Sequence, residues 1–242
     1  MSPLAGLICP NQTRVSIEHC LNGCIDRCTP YPLANKIIKN EIDNPHVGDM
    51  ISMSSIIGCL RKTYLERRHP YYDKYENLWY SARGTWMHSV LEDLAGDPRW
   101  IIERRFTIQI NGFIISGQID AYDRINEHLY DYKTSKDKNV AYIMRNGPKE
   151  AHLVQVSGYK FFLEEENINV RNISVCYMSM SEIYTSTGFL PYSKQQTLDF
   201  ILTNGTKLSK SFKEDTPPII PTPRPIWLCT GYCPVAEICA GI

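Results

Sequence analysis

Residues 117–134 read GQIDAYDRINEHLYDYKT, and their periodicity predicts two neighbouring strands. Phe113, Ile115, Gly117, Ile119 and Ala121 alternate to give the first strand an apolar face. Ser116, Gln118, Asp120 and Tyr122 then fall on the opposite face. Asp131 and Lys133 are two apart and share a face of the second strand. Asp120 joins them only if the intervening loop has an even number of residues, such as 127–128 or 125–128, because a one-residue slip turns every side chain over. Two carboxylates and an ammonium on one face are the donor set of a divalent-cation site working on a phosphate. The same residues would also make an ion-paired, solvated hairpin, and the spacing alone does not separate the two.

Outward from this stretch, residues 100–110, a turn at Asn111-Gly112 and residues 113–125 predict a hairpin. Residues 129–134 complete a three-stranded antiparallel meander. Glu103 lies on its first strand. A helix expected over 149–165 carries Gln155 and Tyr159 at i and i+4, on one face. Another, over 84–94, has an apolar stripe of Met87, Val90, Leu91 and Leu94 with His88 beside it; a lone histidine there is as readily a structural residue as a ligand. Residues 52–68 predict one helix with Cys59 inside it, 71–80 an irregular aromatic stretch, 172–180 an apolar strand with Cys176 in the core, and 193–212 a polar-faced helix.

At 242 residues the chain supports one sizeable core and a small appendage. Lys and Arg number 26 against 26 Asp and Glu, so there is no global basic field. A nucleic-acid contact would need a local patch, for which Arg61, Lys62, Arg67 and Arg68, with Arg104 and Arg105, are candidates; an ordinary solvated helix face fits that run equally well. No apolar run reaches the roughly 18 residues of a membrane span, and residues 4–8 are too short for a signal-peptide core, so a cytoplasmic protein with no membrane partner is expected.

Nine cysteines in such a protein argue for metal or cluster ligands rather than disulfides. Cys9, Cys20, Cys24 and Cys28 sit in a polar segment, residues 1–32, with little material for a core; they predict a structural zinc site, against a helix that turns Cys20, Cys24 and Cys28 to the core. The tail RPIWLCTGYCPVAEICAGI holds Cys229, Cys233 and Cys239. This trio lacks a fourth thiol, with Cys59, Cys176 and the N-terminal set as candidates.

In order, His88 in GTWMHSVLED, Asp120 in GQIDAY, Asp131-Tyr132-Lys133, and Gln155 with Tyr159 resemble the motifs of the RecB-like branch of the PD-(D/E)XK nucleases. The cysteine upstream of the histidine and the three near the C-terminus narrow the resemblance to the CRISPR-associated Fe–S exonucleases of the Cas-four type. It implies an α/β (α+β) restriction-endonuclease-like core over 33–242, with a central mixed sheet flanked by helices and a C-terminal tail stapled by an Fe–S cluster. It implies Mn²⁺ or Mg²⁺ held by His88, Asp120, Asp131 and the Tyr132 carbonyl, with Lys133 acting on the nucleophile and Gln155 and Tyr159 contacting DNA or bracing the site. Glu103 would hold a second metal. Cys59, Cys229, Cys233 and Cys239 would ligate a 4Fe–4S cluster. The implied activity is a DNA exonuclease trimming single-stranded ends, in spacer acquisition with the CRISPR adaptation integrase or in mobile-element DNA processing. The C-x3-C-x5-C tail departs from the family's shorter first gap, and the N-terminal cysteines lie outside its pattern. Two other readings compete: a catalytically weak Fe–S module that binds DNA or assembles complexes, and a nuclease of the same fold acting on RNA.

Overall fold

The structure is a computed structural model that describes residues 3–25, 28–43, 50–90, 92–221 and 226–241. The chain opens with β1 (Leu4–Ile8), β2 (Arg14–Ser16), a π turn at His19–Gly23 and α1 (Tyr31–Asp43). Next come β3 (Ile51–Ser52), α2 (Met53–Ile57), α3 (Leu60–Arg68), β4 (Tyr71–Lys74) and α4 (Tyr75–Ser89). Five strands follow: β5 (Trp100–Ile102), β6 (Arg105–Ile110), β7 (Phe113–Gln118), β8 (Ala121–Asp123) and β9 (His128–Thr134). The rest is α5 (Asp137–Asn146), α6 (Glu150–Glu165), β10 (Asn172–Met178), β11 (Ile183–Ser186), α7 (Lys194–Glu214), α8 (Ile226–Gly231) and α9 (Ala236–Gly241). No helix among the described residues is long and apolar enough to cross a membrane.

These elements form two compact units, one of residues 1–49, 59–83 and 211–242, the other of residues 50–58 and 84–210. The division differs from the break expected after residue 32. The N-terminal segment builds part of a sheet: β1 pairs antiparallel with β2 and parallel with β4, and Leu4 and Leu7 are buried. The aromatic stretch expected to be irregular is β4 and the start of α4.

In the second unit, β11-β10-β9-β8-β5 make a mixed sheet, with β9 and β10 parallel and the other pairs antiparallel. A smaller sheet has the order β3-β7-β6. The expected meander is present but divided between them, because its first hairpin passes from one sheet to the other at residues 103–104 and 119–120. One register runs through the division, Ile102↔Ala121 before it and Arg105↔Gln118 after it. The Asn111-Gly112 turn has positive φ at both residues, 46° and 77°, as a tight hairpin turn requires.

The expected 52–68 helix is two helices. Ser52 and Ser55 cap α2 reciprocally, Gly58 leaves it in an extended conformation, and Cys59 is the extended N-cap residue of α3 rather than an interior position. Between β9 and β10 the parallel crossover holds α5, over residues to which the sequence analysis assigns no element, and then α6. Val140 and Ile143 of α5 pack in one buried cluster with Val156, Val175 and Tyr177.

Helix α6 starts after Gly147-Pro148 and ends where Asn167 takes φ 60° and Ile168 N–H reaches back to the Leu163 carbonyl at 2.9 Å. It is buried on most of its circumference, with Phe162 fully inaccessible. Gly117 on β7 permits that approach: a Cβ there would lie 2.5 Å from Phe162 Cε2 and 3.2 Å from Tyr159 Cε1.

Candidate metal centre and cysteine pocket

The β8–β9 hairpin sets the candidate centre. Asp123 pairs with His128, leaving a four-residue loop, Arg124–Glu127, of the even length that brings Asp120 to the face of Asp131 and Lys133. Asp123 fixes that loop by accepting from the Ile125 and Asn126 amides and from the Arg99 guanidinium. Carried one step beyond Ala121↔Tyr130, the register places Asp120 opposite Asp131. Carried one step beyond Ile102↔Ala121, it places Glu103 opposite Asp120. Three carboxylates thus stand in a row across β5, β8 and β9.

Each is held differently. Glu103 sits at φ 47° and accepts from Gln118 Nε2 at 2.7 Å, while its other oxygen lies 2.9 Å from His88 Nδ1. His88, in the last turn of α4, also lies 3.4 Å from Asp120 Oδ1. Asp120 Oδ2 accepts the Tyr132 N–H at 2.6 Å. Because the N–H and C=O of one strand residue point the same way, the Tyr132 carbonyl points to that same side of β9. Asp131 is fully buried; its Oδ1 accepts from Lys133 Nζ at 2.7 Å and its Oδ2 has no protein partner.

His88, Glu103 and Asp120 can each offer one ligand atom within 4.8 Å of the others, the spacing of a single ion. Asp131 lies outside that trio and closes the row from the β9 side. The trio thus includes Glu103, for which the resemblance implies a second metal. The strand alternation could have signalled it, since Glu103 lies opposite Asp120 in the hairpin that Asn111-Gly112 fixes.

The electrostatics match a cation's place. Burial and the charge of Asp131 push Asp120 up to about 7. Burial raises Asp131 too, against the pull of Lys133. The bond to Glu103 raises His88 despite its burial. On α6, Gln155 Nε2 donates to Tyr159 Oη at 2.5 Å. Burial and the charges of Asp131, Asp120 and Glu103 raise Tyr159 strongly, so it stays a neutral phenol beside the row. His152 is pushed down to about 3 by burial, Lys133 and Lys149, and its neutral ring meets Tyr177 Oη at 2.9 Å.

In the other unit, Cys59, Cys229, Cys233 and Cys239 line one pocket with Arg61 and Lys62. Cys59 comes from the start of α3, Cys229 from α8, Cys233 from the following turn and Cys239 from α9. Cys176 is buried in β10. Cys9, Cys20, Cys24 and Cys28 lie on the β1–β2 turn, in the π turn and just after it. The single long helix weighed for them does not form. One zinc ion needs sulfurs about 4 Å apart, and these four are not gathered that closely among the described residues.

The basic run proposed for nucleic acid is largely engaged. Arg61 is buried, Lys62 pairs with Glu66, and Arg68 bonds the Phe212 carbonyl and pairs with Asp215. Arg104 pairs with Glu166 and Arg105 donates to Gln118.

No family model matches the chain, and no curated protein matches it either. Among solved structures, the crystal structure of SSO0001 is similar with a TM-score of 0.56 at 19% identity, over 86% of this chain and 94% of that one. A looser likeness, with a TM-score of 0.43 at 12% identity, covers 73% of this chain and 99% of a phage-related exonuclease from Haemophilus somnus 129PT. The chain is a mixed α/β protein that shares the overall fold of SSO0001.

Proposed function

We propose that the chain is a divalent-metal-dependent nuclease with a RecB-like PD-(D/E)XK core that hydrolyses phosphodiester bonds of DNA, acting on single-stranded ends. The observation that carries the reading is the row Glu103–Asp120–Asp131, flanked by His88 and Lys133 and with the buried Asp131 Oδ2 left without a partner. An unpaired buried carboxylate oxygen is costly, and a cation removes that cost.

Mn²⁺ or Mg²⁺ would be held first by the trio His88, Glu103 and Asp120, with Asp131 and the Tyr132 carbonyl completing the site from the β9 side. The bound ion supplies a Lewis acid for the phosphodiester and an acidified water. A histidine among the ligands favours the softer Mn²⁺. Lys133, tethered to Asp131, presents its ammonium beside the row, where it orients the attacking water and offsets charge growing on the phosphate. Gln155 braces the Tyr159 hydroxyl, and Tyr159 keeps water from the inner side of the carboxylates.

The tail thiols of Cys59, Cys229, Cys233 and Cys239 would ligate a 4Fe–4S cluster that ties α8 and α9 to α3; four thiols around one pocket fit that group. Spacer acquisition with the adaptation integrase, or mobile-element DNA processing, is the setting such an enzyme would serve.

Asp131→Ala tests the reading. It abolishes Mn²⁺-dependent cleavage with an unchanged circular dichroism spectrum; cleavage retained in the pure variant removes the site. Tight DNA binding by the wild type with no cleavage under any metal would favour the binding-module reading, and cleavage confined to RNA the third.

A further inference from the structure

The wall of the cysteine pocket contains a buried cation for which the catalytic account has no use. Arg61 is only 7% exposed. Its Nε donates to Cys239 Sγ at 3.3 Å and its Nη1 to the Pro218 carbonyl at 3.0 Å. Among the described residues no carboxylate lies within ion-pair distance of it, although Lys62 and Arg68 on the same helix pair with Glu66 and Asp215.

A guanidinium taken out of water without a counter-anion is costly. A neutral thiol and one carbonyl do not offset that cost; an anionic pocket does. A cluster on four thiolates is an anion and becomes more negative on reduction. Arg61 touches one of its four ligand sulfurs, and Lys62 lines the same pocket, so charge complementarity runs in one direction.

We propose that Arg61 is the fixed countercharge of the Fe–S site: it orients Cys239 and raises the reduction potential of the cluster. This rests on the cluster assigned above. Hydrogen bonds and positive charge at ligand sulfurs stabilise the more negative, reduced state. One electron enters from an added reductant such as dithionite; no bond forms or breaks, and Arg61 keeps its proton. Arg61 is thus a positioning residue and not part of a DNA-binding patch.

The test uses the full chain purified anaerobically, as wild type, Arg61→Met and Arg61→Lys. Iron and acid-labile sulfide give the loading, and a redox titration followed by electron paramagnetic resonance gives the potential. Arg61→Met is expected to lower the one-electron reduction equilibrium about tenfold, a shift of about 59 mV to more negative potential, with Arg61→Lys between it and wild type. Iron lost from Arg61→Met but kept by Arg61→Lys supports the same charge role. An unchanged potential in fully loaded Arg61→Met overturns the proposal, as does loss of iron from both variants, since lysine keeps the charge. Wild type without iron or sulfide fails earlier and removes the cluster itself, which separates the two failures.

Discussion

Glu103 stands across the hairpin from Asp120 at the point where the hairpin passes from one sheet to the other. Its backbone has φ 47°, a conformation that costs a non-glycine residue about 1–2 kcal/mol. Strain of this kind persists where surrounding structure fixes it and concentrates at functional sites; here the side chain is fixed by His88 and Gln118.

Replacing Glu103 separates its two roles. Glu103→Ala should weaken Mn²⁺ binding about 10–100-fold. Glu103→Gly should weaken it equally yet melt higher than Glu103→Ala, by the roughly 1–2 kcal/mol of relieved backbone strain. Calorimetric Mn²⁺ titration and thermal melts of the metal-free variants check both. Unaltered Mn²⁺ affinity in Glu103→Ala would remove Glu103 from the ligand set.

The site should make metal-free stability fall as pH rises. Asp120 titrates near 7 in the fold against 3.8 in the unfolded chain. Between those values the folded state holds the extra proton, and stability is lost as pH climbs through the interval. His88 is raised above 6.5, so its bond to Glu103 stabilises fully below 6.5 and fades as pH passes its folded value. Both act in the same direction. Metal-free protein is expected to melt several degrees higher at pH 6 than at pH 8, whereas the rise in Tm on adding Mn²⁺ should grow over the same interval, because the ion needs unprotonated ligands. Asp120→Asn should raise metal-free stability at pH 8 by about 1–4 kcal/mol and abolish the Mn²⁺ effect. A melting curve in which Mn²⁺ helps most at pH 6 would contradict this.

Gly117 couples the packing to the site. Gly117→Ala sets a methyl 2.5 Å from the ring of the fully buried Phe162, and should cost about 1–3 kcal/mol and reduce cleavage by displacing Tyr159. Gly96→Ala, with nothing within 4 Å of the added carbon, should do neither. Equal melts for the two variants would show that α6 has room to move.

The cysteine sets are separable by chemistry. Cys233→Ala should lose the iron and the brown colour, while Cys176→Ala, in the core of β10, should keep both. Cys24→Ser should release about one zinc ion per chain if the N-terminal thiols close on one. Iron retained in Cys233→Ala rules out the tail cluster.

The hairpin turn and α6 were legible because each rests on a local signal, Asn-Gly for the one and Gly-Pro followed by an apolar run for the other. The parity of the β8–β9 loop was left open; the observed loop, 124–127, is even but is neither of the two spans named for it. His88, Asp120, Asp131 and Lys133 were legible as candidates by their order. What escaped depended on breaks that periodicity does not register. The sheet change at 103–104 and 119–120 keeps its register, so alternation reads through it as one long strand. Gly58 and the Ser52–Ser55 cap split a helix whose apolar pattern is continuous. Arg61 was read as part of a nucleic-acid patch or of a solvated helix face because its bond to Cys239 spans 178 residues, which no local pattern registers.

The most direct test of the central claim is cleavage of end-labelled single-stranded DNA, duplex DNA and RNA with Mn²⁺, Mg²⁺ or EDTA, with Lys133→Ala alongside. The account predicts Mn²⁺-dependent cleavage of single-stranded DNA that disappears in EDTA and in Lys133→Ala. Equal cleavage by Lys133→Ala, or none by the wild type with any metal, would contradict it.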